Sequence, residues 1–73
     1  MPLIDQIEDF QATMNKVVQL VEETKGLAGQ IPRTPIEEAP AKMKVIFELC
    51  EEGIKMLNNG IDQAEDIQQS LGR

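Results

Sequence analysis

Residues Met43 to Leu71 read MKVIFELCEEGIKMLNNGIDQAEDIQQSL. Met43, Ile46, Cys50, Leu57, Ile67 and Leu71 are apolar, and Gly53, Gly60 and Ala64 fill the remaining steps of one 3–4–3–4 rhythm. Phe47, Ile54 and Ile61 stand directly beside that line. This is the period of a helix that packs along its length against other helices. In heptad letters, Met43, Cys50, Leu57, Ala64 and Leu71 take position a. Ile46, Gly53, Gly60 and Ile67 take d, Phe47, Ile54 and Ile61 take e, and Leu49 and Met56 take g. Charged and amide residues take most of the other positions.

Upstream, Leu3, Ile7, Phe10, Met14, Val17 and Val21 keep an alternating four-and-three spacing. Ile7, Met14 and Val21 are then a, Leu3, Phe10 and Val17 are d, Ile4 and Val18 are e, and Leu20 and Leu27 are g. Glu8, Asp9, Lys16, Glu22 and Glu23 form the polar back of an amphipathic helix. Its stripe is wider than the a/d seam of a two-stranded coiled coil, so it is suited to touching more than one neighbour.

Between the two patterns lies Gly29-Gln30-Ile31-Pro32-Arg33-Thr34-Pro35. Gly26 or Gly29 is suited to ending the first helix in the left-handed conformation. Ile31, preceding a proline, is biased away from helical angles. Thr34, Pro35 and Glu37 match a capped helix start, and Pro40 either kinks that helix or marks its beginning. Pro32 and Pro35 also meet the minimal spacing of a proline-rich ligand, but two prolines alone are a weak signal and a stiff turn is the plainer explanation. The spacing thus predicts a helix over 2–28, a connector over 29–35 and a helix over 36–71, with a kink at Pro40 or a break at 58–60.

A short connector makes the two helices antiparallel neighbours. A turn centred near residues 31–32 pairs Val21 with Met43, Met14 with Cys50 and Phe10 with Gly53. It leaves 61–71 opposite nothing in the chain. The expected fold is all-α: an antiparallel helical hairpin that dimerises into a four-helix bundle. The expected interaction residues are those that one hairpin leaves uncovered: Ile61, Ala64, Ile67 and Leu71 of the tail, with Ile4, Val18, Leu20, Leu49 and Met56 on the flanks.

The chemistry-bearing residues are few. The chain has 73 residues, no histidine and one cysteine. That excludes an internal disulfide and histidine-based catalysis and leaves no zinc ligand set. Cys50 stands among apolar residues, as a buried and inert thiol would. Glu22-Glu23, Glu37-Glu38 and Glu51-Glu52 point to adjacent helix faces and do not converge, and the glycines form no phosphate loop. No catalytic, cofactor-binding or metal-ligating residue is therefore expected. A net charge of −6 without a basic patch argues against direct nucleic-acid binding. No run reaches the length of a membrane span. The opening residues lack the basic and apolar regions of a signal peptide, so a cytoplasmic location is expected.

Two family likenesses attach to particular residues. Pro35-Ile36-Glu37-Glu38-Ala39, followed by Phe47 and Glu51-Glu52-Gly53-Ile54, resembles two stretches of the small subunit of exonuclease VII, although the two stretches lie about one heptad further apart here. That resemblance implies a helical hairpin serving a larger catalytic chain. The layout of helix, Pro32-Arg33-Thr34-Pro35 turn and second helix looks like that of type III secretion needle subunits, which implies self-assembly. From the residues themselves, the expected function is a non-catalytic protein–protein interaction module: a small subunit, adaptor, chaperone or assembly factor. Its partner would be a protein, in a homodimer or a hetero-oligomer. A self-assembling structural subunit and a small acidic inhibitor of a basic site are the alternatives.

Overall fold

A computed structural model describes residues 2–72. It consists of helix α1 (Leu3–Gln30), a 3-10 turn (Ile31–Arg33) and helix α2 (Ala39–Leu71). The two helices pack antiparallel, as an all-α hairpin. At the open end the Ser70 hydroxyl donates to Gln6 Oε1 at 3.0 Å. Near the turn Lys42 Nζ donates to Gln30 Oε1 at 3.3 Å.

Helix α1 opens with the Asp5 and Gln6 amides on the Pro2 carbonyl, at 3.1 and 3.3 Å. Asp5 adds a carboxylate beside the positive end of the helix dipole. The helix does not stop at its glycines. Among the described residues none has a positive φ, so the left-handed ending expected at Gly26 or Gly29 does not form. Ile31 keeps helical angles (φ −55°, ψ −46°) although Pro32 follows it. The chain leaves the helix one turn later, at Thr34 (φ −87°, ψ 134°). Thr34 precedes Pro35, and there the proline ring does push its neighbour into extended backbone.

Thr34 does not cap α2. Its hydroxyl donates to the Gln30 carbonyl at 2.7 Å and its amide to Ile31 O at 3.0 Å, so both groups close the preceding turn. Residues 35–39 form a turn of their own, with the Glu38 and Ala39 amides on Pro35 O at 2.9 and 3.2 Å. Helix α2 follows at Ala39, three residues beyond the expected start at 36. Pro40 falls in its first turn, where a missing N–H costs nothing. The helix then runs unbroken through Asn58-Asn59-Gly60 to Leu71.

The longer connector changes the register. Gly60 packs beside Thr13, Met14 and Phe10, and Gly53 beside Leu20. Facing residue numbers therefore add to about 73, where a turn at 31–32 gives about 63. Phe10 lies at Gly60 and not at Gly53. The tail of α2, for which no partner was expected, runs alongside the first turns of α1, with Ser70 tied to Gln6.

A hairpin this long is thin, with principal extents of 56 × 14 × 14 Å. Its radius of gyration is 16.7 Å, against about 11 Å for a globular domain of this length. With one layer of two helices there is only one internal seam. Val17 and Ile46 are the buried hydrophobic residues of that seam, each 9% exposed.

Candidate interaction surface

The half-buried positions show which side of each helix the hairpin uses. In α1 they include Leu3, Gln6, Phe10, Thr13, Leu20, Thr24 and Leu27, around buried Val17. In α2 they are Ala39, Lys42, Leu49, Gly53, Met56, Gln63 and Ile67, around buried Ile46 and Gly60. All of these are d and g positions; Met14, an a residue reaching over Gly60, is half-buried as well. The internal seam is therefore d/g in both helices, and not the a/d seam with its apolar flanks that hydrophobicity suggests.

The polar residues within that seam are mostly accommodated locally. Thr24 donates to the Leu20 carbonyl at 2.7 Å and Thr13 to the Asp9 carbonyl at 3.1 Å, each hydroxyl bonding back along its own helix. Gln63 is the exception, since its Oε1 is shielded and accepts no hydrogen bond.

Because the helices run antiparallel, equivalent flanks share a side. One flank gathers the a and e positions of both helices. Near the turn, Val21, Lys25 and Ala28 of α1 join Cys50, Ile54 and Leu57 of α2 around an open groove of about 420 Å³ floored by Gly53. Nearer the open end, Met14 joins Leu57, Ile61 and Ala64 around a second groove of about 200 Å³ over Gly60. Phe47 is 63% exposed, Ile54 60% and Ile61 54%. The opposite side is polar, with a shallow cleft lined by Gln6, Asp9, Gln63 and Asp66. The hairpin thus has one apolar and one hydrophilic side along its length.

The residues singled out from the sequence divide between these places. Ile4, Val18, Ile61, Ala64 and Leu71 are exposed on the a/e side. Leu20, Leu49, Met56 and Ile67 are half-buried in the internal seam. Sequence reasoning paired Val21 with Met43 inside the hairpin, and both are exposed, as are Ile7 and Leu57 of the a set and Phe47 and Ile54 beside it. Cys50 is exposed as well, which corrects its expected burial; it belongs to the a set. The available signal was the width of the stripe, since apolar residues at a, d, e and g are enough for two seams.

Among the described residues, no three His, Cys, Asp or Glu side chains gather as a metal site would require, and no helix is long and apolar enough to cross a membrane. No known family, curated protein or solved structure matches this chain, and neither family likeness drawn from its residues gains support from a match.

Proposed function

We propose that the chain is a non-catalytic protein–protein interaction module that acts by laying its a/e side on other helices to close a four-helix bundle. One observation carries this reading. An apolar strip from Ile4 and Leu71 at the open end to Met43 near the turn is exposed along nearly the whole hairpin. Monomeric soluble proteins rarely leave so continuous an apolar surface uncovered. Its layout at helical spacing on two parallel ridges suits helices as the covering element.

The test compares the two sides. Ile54→Glu places a charge on the apolar side, and Val45→Glu places one on the exposed hydrophilic side. Sedimentation and partner retention from source lysate are measured for both. Ile54→Glu is expected to lose the parent's association state or its partner, and Val45→Glu to keep both. An Ile54→Glu protein that matches the parent in both measurements overturns the reading.

A further inference from the structure

We infer that the element covering the a/e side is a second copy of this hairpin, stacked face to face with its turn over the open end of the first. This rests on the interaction reading above and names its partner and orientation.

The first support is area. The chain exposes 5667 Å², whereas a compact monomer of 8.2 kDa exposes about 4,500 Å². The excess, roughly 1,100 Å², exceeds the ~800 Å² that each partner contributes to a standard stable interface. A single copy of the same hairpin, 56 Å long and 14 Å across, supplies an apolar side of matching length.

The second support is charge, and it selects the orientation. The rim of the apolar side carries Glu8 and Glu22 along α1 and Lys44, Glu51 and Glu65 along α2, with Lys25 beside the groove nearer the turn. Both lysines of this rim lie in its turn half, beside Glu22 and Glu51, and the open end carries only Glu8 and Glu65. Two stackings obey two-fold symmetry. If α1 of one copy covers α2 of the other with turns together, equal levels meet. In the hairpin register Glu8 then faces Glu65 and Glu22 faces Glu51, while Lys25 falls between Lys44 and Glu51. Both directly facing charged pairs are then between like charges. If instead each helix covers its own equivalent with turns apart, residues equidistant from Lys55, the midpoint of α2, oppose one another. Lys44 then meets Glu65 of the second copy, Lys25 comes within one turn of Glu8 of the second copy, and Glu51 meets Asn58 of the second copy. The apolar positions also fit, because Phe47 falls opposite Ala64 of the second copy, a large residue over a small one beside the groove at Gly60.

The experiment uses the full chain. Cys50→Ser with Gln69→Cys carries one spin label near the open end of each copy, and the distance between the labels is measured. Turn-over-open-end stacking separates them by about 40 Å along the axis; the other stacking brings them within about 30 Å, the thickness of two hairpins. Lys44→Glu is expected to weaken self-association about tenfold, and adding Glu65→Lys in the same chain to restore it. A dimer with the short distance overturns the orientation, as does Glu65→Lys failing to rescue Lys44→Glu. A parent chain monomeric at 100 µM whose Ile54→Glu variant loses a different protein overturns the second copy while leaving the interaction reading intact. A parent chain unaffected by Ile54→Glu in every measurement overturns both.

Discussion

The two long apolar surfaces of this hairpin differ in an unexpected direction. The internal d/g seam mixes Phe10, Val17, Leu20, Ile46, Leu49, Met56 and Ile67 with Gln6, Thr13, Thr24, Lys42, Gly53, Gly60 and Gln63, all half-buried or buried. The a/e side contains Ile7, Val18, Val21, Phe47, Ile54, Leu57 and Ile61, all exposed. The side turned outward is the more hydrophobic of the two. Small residues allow two helices to approach closely, as Gly60 does beside Met14 and Phe10. Larger aliphatic residues suit a second layer. On this comparison the internal seam sets the register, and the outer side holds most of the large apolar residues that the hairpin leaves exposed.

The largest effect should follow from charging the outer side. Ile54→Glu combined with Leu57→Glu removes two large aliphatic side chains from the proposed interface. Each is worth about 1.5–3 kcal/mol when fully buried. The variant is expected to be monomeric by sedimentation, with a melting temperature well below the parent's and independent of concentration. If its melting curve stays on the parent's, the outer side contributes nothing and the contrast between the two surfaces collapses.

Truncation within the seam should act differently. Ile46→Ala is expected to cost about 2 kcal/mol, the low end for a core aliphatic residue, because Ile46 is packed from one layer only. That corresponds to a fall in melting temperature of roughly 8–16 °C. The concentration dependence of the parent should remain, since the outer side is intact. A Val45→Ala control on the exposed hydrophilic side should change stability by less than about 0.5 kcal/mol. Loss of self-association in Ile46→Ala at temperatures where it stays folded would show that the two surfaces are not separable.

Much of the fold can be read from the residues, because the apolar period runs without a slip for over three turns of each helix and two prolines bracket one break. The register cannot be read the same way. It depends on where the chain turns, and that depends on Thr34. From sequence, Thr34-Pro35-Ile36-Glu37 is a helix start; in the structure the Thr34 hydroxyl bonds back to Gln30 and the reversal is drawn out to residue 38. The shift moves Gly53 from Phe10 to Leu20 and gives the tail of α2 a partner within the chain. The choice of seam was hidden for a different reason. Hydrophobicity spreads the stripe over a, d, e and g without choosing between two seams, but a hairpin closes where its helices fit most tightly, and glycine carries no hydrophobic signal. Cys50 follows the same logic, being apolar by neighbourhood and exposed by register.

Gln63 offers a smaller test of the seam. Its Oε1 is shielded from solvent and unpaired, and a buried polar atom without a partner costs about 1–3 kcal/mol. Gln63→Leu, which removes that atom at similar volume, is expected to stabilise the chain by about 1 kcal/mol. Chemical denaturation should show a higher midpoint with an unchanged slope; an unchanged or lower midpoint would mean that the amide is satisfied.

The smallest effects come from the four glycines within the two helices, and their order tests the register directly. Alanine gains up to about 1 kcal/mol over glycine inside a helix wherever its methyl group meets no obstacle. At Gly26 and Gly29 a Cβ would meet nothing within 4 Å, so each substitution should raise the melting temperature by several degrees. At Gly53 the Cβ would lie 3.3 Å from Leu20 Cδ2. Leu20 lines the open groove and can yield by a few tenths of an ångström, so a smaller gain is expected. At Gly60 the Cβ would lie 2.6 Å from Met14 Cε, and the methionine must swing aside. That displacement should cancel the helical gain, leaving Gly60→Ala close to neutral. In a Met14→Ala background the obstacle is gone, and the same substitution should again stabilise. Had Gly53 faced Phe10, as a turn at 31–32 implies, Gly53→Ala would be a harmful change instead of a mildly favourable one. Thermal melts of the four single variants and the Met14 pair therefore distinguish the two registers by the sign of the change at Gly53, without a partner or a ligand.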